Sequence, residues 1–443
     1  MNSWLPDYIY TDGRFQSGRA LVCENGKIVG VVNGDDAPDA IVLTGKAMLP
    51  GLVNAHSHAF QRVIRGRTEY RSQNTADSFW TWREQMYAAA TTLSPEEIYA
   101  VSRMAFLEMA LSGITAVGEF HYIHHAPDGS VYDDPNLLAH EVIRAAHDVG
   151  IRIALLRVAY ARAGYQVVAN PRQVRFIENS PDTYLKHLDQ LLVTLDSTEA
   201  AKNGMAWAGV APHSVRAVPL DYLKRIVAFA GERRLPVHMH VAEQPAEVAA
   251  CIQEYGRSPV ALLDTEGLLS ERFTGVHAIH VTPKAVDALA RSGAGVCACP
   301  TTERNLGDGV VPVDLYFKAQ VPVSLGTDSQ TQIDLLEDAR ELEYHLRLQK
   351  LERNVLAPDG GESGTSALAK RLFDCATVNG AKAIGFNGGM LEPGAAADFF
   401  TVDLNDLSIA GSSQEDLLTN IVFSLSRTAI RDVVVNGKQL ELK

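Results

Sequence analysis

Between residues 49 and 385 the chain alternates short apolar runs with longer stretches of helical periodicity, and this alternation restricts the fold more than any other feature. Eight runs are legible: Leu52 to His56, Ile114 to Glu119, Ile151 to Val158, Met205 to Val210, Pro236 to Val241, Val276 to His280, Ala294 to Cys299 and Val321 to Gly326. Stretches such as Pro95 to Ser112, Leu220 to Arg233 and Leu335 to Leu351 lie between or after them. Their apolar positions recur at spacings of three and four, as in a helix packed on one face. The pattern predicts an α/β protein, a closed (β/α)8 TIM-like barrel, in which chemistry is carried at the C-terminal ends of the strands.

The flanks read differently. Ala20-Leu-Val-Cys-Glu-Asn-Gly-Lys-Ile-Val-Gly-Val-Val and Ala40-Ile-Val-Leu alternate like half-buried strands with tight turns, and so do Gly394-Ala-Ala-Ala-Asp-Phe-Phe-Thr-Val-Asp and Asp432-Val-Val-Val-Asn-Gly-Lys. Pairing of the two ends would make a small β-sandwich domain from residues 1–48 and 386–443, with the barrel domain, 49–385, inserted between them.

With 46% hydrophobic and 21% charged residues among 443, the chain has the composition of a soluble globular protein. A formal net charge of −13 and the lack of any Lys/Arg block argue against nucleic acid or an anionic membrane as partner. An anionic ligand must therefore be held by a few local arginines. The five cysteines are scattered without paired spacing, which suits a reducing cytoplasm. Cys297 and Cys299 sit in Gly295-Val-Cys-Ala-Cys-Pro300, where a buried strand is favoured over a metal or redox role. The N-terminus has no signal-peptide pattern, and no apolar stretch is long enough to span a bilayer.

The strand ends hold the chemistry. The first run closes on His56-Ser-His58, and residues two apart on an extended segment face one side, so two imidazoles meet at one point. The fifth run gives His238-Met-His240 followed by Glu243, the sixth His277 and His280, and the eighth ends at Asp328. A single His-x-His is weak evidence; imidazoles and a carboxylate converging on one barrel mouth are hard to read as structural. His56, His58, His240 and Asp328 are the expected metal ligands, with His238 packed behind. Spacing does not decide between His277 and His280. His124 and His125, in the loop after the second run, read as packing or surface residues.

The elements Leu49-Pro-Gly-Leu-Val-Asn-Ala-His-Ser-His58, His240-Val-Ala-Glu243, His277, Gly326-Thr-Asp328 and Leu391-Glu-Pro-Gly-Ala-Ala-Ala-Asp398 resemble the amidohydrolase superfamily, in its branch of deaminases and chlorohydrolases. Within that branch His58-Ala-Phe-Gln-Arg62, Phe79-Trp-Thr-Trp-Arg83, Ala211-Pro-His-Ser-Val-Arg216, His240-Val-Ala-Glu-Gln244 and Pro300-Thr-Thr-Glu-Arg-Asn-Leu-Gly-Asp-Gly309 are similar to the deiminases acting on N-formimidoyl-L-glutamate. The resemblance implies conversion of that compound and water to N-formyl-L-glutamate and ammonia, a step of histidine degradation, in a homodimer. It also implies roles: Glu243 as proton shuttle, His277 beside the attacking water, Asp328 as ligand and first base, and Gln61, Arg83, Tyr122, His213 and Arg216 as contacts to a small dicarboxylate. Binuclear members bridge their metals with a fourth-strand lysine, which Met205-Ala-Trp-Ala-Gly-Val-Ala-Pro-His213 lacks, so one divalent ion is expected, with Zn2+ favoured. Arg304, near the expected substrate position, has no assigned role. The competing readings are a purine or triazine deaminase, whose neutral substrates need no arginine pair, and a non-catalytic barrel that has lost its metal.

Overall fold

The computed structural model describes residues 1–71, 77–168, 170–358 and 364–442; residue 443, the last of the predicted C-terminal segment, lies outside them. Eight parallel strands follow one another in chain order around a barrel: Leu52–Ser57, Ile114–His121, Arg152–Ala159, Ala206–Pro212, Val237–Val241, Phe273–His277, Gly295–Ala298 and Val323–Leu325. The barrel closes between the eighth strand and the first just past their ends, where the His58 N–H donates to the Asp328 carbonyl (2.9 Å) and the Asp328 N–H to the His56 carbonyl (3.0 Å). Gly326 permits this approach, since a Cβ there would stand 2.7 Å from the Cβ of His56. The same closure sets Asp328 beside the histidine pair.

Seven of the eight strands fall where the apolar runs predict, within a few residues. The sixth differs: it ends at His277 rather than beginning at Val276. Ala278, Ile279 and Val281 continue the apolar pattern, but His277 and Ala278 adopt φ of 67° and 48°, which turns the chain out of the sheet. Residues with a side chain rarely take this conformation. Ala242 and Asp328 do so too, at the ends of strands five and eight. Backbone strain of roughly 1–3 kcal/mol per residue thus gathers around one mouth of the barrel, as it does where a site over-determines its geometry.

The two chain ends form a second, mixed sheet. The strand Ile41–Pro50 pairs in parallel with Asn2–Thr11 on one side and antiparallel with Phe399–Asp403 on the other. A buried bidentate ion pair joins the two sheets: Arg152, at the start of the third barrel strand, donates to Asp398 through Nε (2.7 Å) and Nη2 (2.9 Å). This gives Asp398, at the end of the C-terminal motif, a structural role. All five cysteines are buried and unbridged, Cys297 and Cys299 on and just past the seventh strand. Among the described residues, no helix is long and apolar enough to cross a membrane.

Candidate metal centre and substrate pocket

His56 and His58 project from the end of the first strand with their Nε2 atoms 3.2 Å apart, and Asp328 Oδ1 lies 3.5 Å and 3.3 Å from them. His240, at the end of the fifth strand, completes a set whose donor atoms all lie within 4.8 Å of one another. Tautomers are set from behind. His58 Nδ1 lies 2.9 Å from the Phe120 carbonyl and His240 Nδ1 3.2 Å from the His213 carbonyl, so each donates there and turns an Nε2 lone pair inward. Burial holds all three imidazoles below their usual pKa, with mutual repulsion adding to the effect on His56 and His240. Neutral imidazoles and one carboxylate, tightly converged and shielded from water, fit a divalent cation.

His277 stands beside this cluster, its Nε2 3.8 Å from Glu243 and 3.7 Å from Asp328, its Nδ1 3.1 Å from Glu303. Burial opposes a charge on His277, but Glu243, Glu303 and Asp328 outweigh it and raise its proton affinity well above normal. Glu243 is itself pushed up to about 7, chiefly by burial. His280, the other candidate on the sixth run, turns away and bonds the Asp308 carbonyl. His238 bonds the Ala383 carbonyl, and His124 and His125 bond the carbonyls of Val158 and Ile177; all three are packing residues.

The cavity in front of the cluster is lined by Gln61, Arg83, Tyr122, His213 and Arg216 as well as His58, His240, Glu243, His277 and Asp328. Gln61 donates to the Tyr122 hydroxyl (2.9 Å). Arg83 lies over the Trp80 ring at 4.5 Å with its Nε buried and unpartnered. Arg216 donates to the Ala163 carbonyl (2.8 Å). Among the described residues, neither arginine forms an ion pair with a carboxylate. Arg304 does, with Glu341 at 2.6 Å, and its half-exposed side chain is not part of the cavity wall. Its place near the substrate is thereby corrected: it sits on the outer face of the helix Pro300–Leu306, whose inner face carries Glu303.

Three groups that the sequence did not single out also build the site. Glu303 orients His277, and Glu119, at the end of the second strand, accepts from the Ser57 hydroxyl (2.6 Å) and from the Ala59 N–H (2.7 Å), tying down the residues on both sides of His58. The third group is the trio Tyr87, Tyr160 and Gln173: the two tyrosines line the cavity, and Gln173 bonds both of their hydroxyls. Only Glu119 had a legible signal, its position at a strand end.

Fold and site together define a hydrolytic barrel enzyme. The chain belongs to the amidohydrolase family, whose model matches residues 47–440. It is 39% identical over 412 residues to the formimidoylglutamate deiminase of Pseudomonas aeruginosa, covering 93% of this chain and 88% of that protein. Identity to the 5-methylthioadenosine/S-adenosylhomocysteine deaminase of Natronomonas pharaonis is 28%, over 94% and 86% of the two chains. Among solved structures, an amidohydrolase from Brucella melitensis superposes with a TM-score of 0.89 at 34% identity, over 99% of this chain and 94% of that one. The zinc complex of an atrazine chlorohydrolase from Arthrobacter aurescens shares the fold, with a TM-score of 0.81 at 23% identity, over 99% and 95%.

Proposed function

We propose that this chain hydrolyses N-formimidoyl-L-glutamate to N-formyl-L-glutamate and ammonia. The observation that carries the reading is the pair of arginines, Arg83 and Arg216, lining the cavity without a carboxylate partner among the described residues. Both guanidiniums are half-buried with no carboxylate within ion-pair distance among the described residues, so a ligand of opposite sign would gain their attraction in a partly desolvated cavity. Two guanidiniums ask for a substrate with carboxylates, and a planar fork binds each one through two hydrogen bonds. Purines and triazines offer none. The 39% identity to a formimidoylglutamate deiminase supports the same choice.

His56, His58, His240 and Asp328 would hold one divalent ion, and the donor set favours zinc. When bound, such an ion lowers the pKa of water towards neutrality and supplies a nucleophile for the amidine carbon. The chain's own groups do the rest. Glu243 accepts the proton released as the new C–O bond forms and delivers it to the nitrogen that leaves as ammonia. A carboxyl shifted to about 7 gives and takes protons readily near neutrality. His277, fixed through Nδ1 by Glu303, presents Nε2 to the oxygen where negative charge develops. Gln61, Tyr122 and His213 shape the space around the formimidoyl group. The reaction then belongs to histidine degradation, in a cytoplasmic homodimer, a setting to which five unbridged thiols are suited.

The direct test is ammonia release from N-formimidoyl-L-glutamate compared with guanine, adenosine and 5-methylthioadenosine. Turnover of the amidine alone is expected; turnover of the purines alone would overturn the reading. Metal analysis checks the centre separately: about one equivalent of divalent ion per chain is expected after reconstitution, and less than about half would count against it.

A further inference from the structure

Arg216 is held at both its side chain and its backbone by a neighbouring loop. Its Nη1 donates to the Ala163 carbonyl (2.8 Å), in the loop after the third strand. From that loop Arg162 reaches back: its Nε donates to the Arg216 carbonyl (3.1 Å) and its Nη2 to Glu254 (2.6 Å). The N–H groups of Ala161 and Arg162 add two more bonds, both to the Ala217 carbonyl (3.0 and 3.1 Å). Arg162 is half-buried and, unlike Arg216, is not part of the cavity wall. Its charge is answered by Glu254 rather than left open to a ligand.

Glu254 stands in the last turn of the helix Pro245–Tyr255. Glu247, about two helical turns earlier and so on the same face, accepts the Glu243 N–H (3.1 Å). One helix therefore anchors the turn that carries Glu243 and, through Arg162, the loop that carries Arg216. A long side chain that must be ordered when its ligand arrives costs affinity, and one already fixed does not.

We propose that Arg162, held by Glu254, is a positioning residue that fixes Arg216 for a substrate carboxylate, so that the helix Pro245–Tyr255 sets this arginine relative to Glu243. The proposal rests on the substrate reading above. Arg162 touches no substrate; it acts through the backbone of Arg216.

Removing the Glu254 charge separates positioning from simple attraction, because the two predict opposite signs. Without Glu254 the region becomes more positive, so attraction alone would lower KM for a dicarboxylate, whereas loss of positioning raises it. In steady-state kinetics of the reconstituted enzyme with N-formimidoyl-L-glutamate, Glu254→Ala should raise KM about 5- to 50-fold, with kcat within about threefold. The Glu243–Glu247 bond is untouched by this change. Arg162→Lys, which keeps the charge but loses the planar fork that spans carbonyl and carboxylate, should raise KM over the same range. In an Arg216→Met background neither substitution should lower kcat/KM further, because the residue they position is gone. An unchanged or lowered KM in Glu254→Ala, or an undiminished further loss in the Arg216→Met background, would overturn the proposal and leave the substrate reading intact. Wild-type enzyme inactive on N-formimidoyl-L-glutamate would overturn both. Should Glu254→Ala fail to fold, Arg162→Lys carries the test, and a KM within about twofold of wild type would sink the idea.

Discussion

A Glu243→Gln variant is expected to lose about 10²- to 10⁴-fold in kcat, the contribution of a positioned proton carrier, while retaining its metal and a nearly unchanged KM. Glutamine keeps the size and one acceptor oxygen of the side chain but cannot take up a proton. Glu243 lies in the turn after the fifth strand, where Ala242 holds a φ of 51° and the Glu243 N–H donates to Glu247 (3.1 Å). The backbone is thus set independently of the carboxylate. In the wild type, kcat/KM should climb with pH along an acid limb centred near 7, because burial moves the Glu243 pKa to that value and the carboxylate form is the one that accepts. Stopped assays across pH with metal analysis on the same preparations would measure all of this. A variant with full kcat would remove Glu243 from the proton path, and a variant that lost its metal would show the residue to be structural.

The barrel was legible because period and composition are local properties: each buried strand must be apolar along its own length, whatever its neighbours are. The metal cluster was legible for a related reason, since strand ends share one mouth and His56, His58, His240 and Asp328 each stand at one. Choosing His277 over His280 was beyond spacing, because it depended on a positive-φ turn that no run of residues announces. Arg304 misled for the opposite reason. Its position just after the seventh strand placed it near substrate, whereas that segment is a helix that turns consecutive residues through about 100°, so Glu303 faces His277 and Arg304 faces Glu341. Tyr87, Tyr160 and Gln173 come from three segments, and nothing in any one of them signals the other two.

Glu178 was equally hidden, and its replacement by glutamine should cause the largest loss of stability in the molecule outside the metal centre, about 3–5 kcal/mol. Arg157, on the third strand and inaccessible to solvent, donates to Glu178 through Nη1 (2.6 Å) and Nη2 (3.1 Å), with Nε on Asn136 (3.0 Å). His187 adds a third contact to the same carboxylate. Burial alone would raise the Glu178 pKa, but Arg157 and His187 reverse the sign and hold it far below the usual range. A depressed folded-state pKa stabilises the fold above the unfolded value, about 4.3, and this contribution disappears as pH falls towards the folded value. Urea unfolding should therefore separate wild type from Glu178→Gln fully at pH 7 and progressively less below about pH 4. Replacing Arg157 and Glu178 together by methionine should recover much of the loss, because no charge is then left stranded. If Glu178→Gln unfolds with the wild type at pH 7, the pair carries no net stability. The consequence reaches the site, because Glu178 also donates its N–H to the Tyr160 carbonyl (2.9 Å) and closes the loop that carries Gln173.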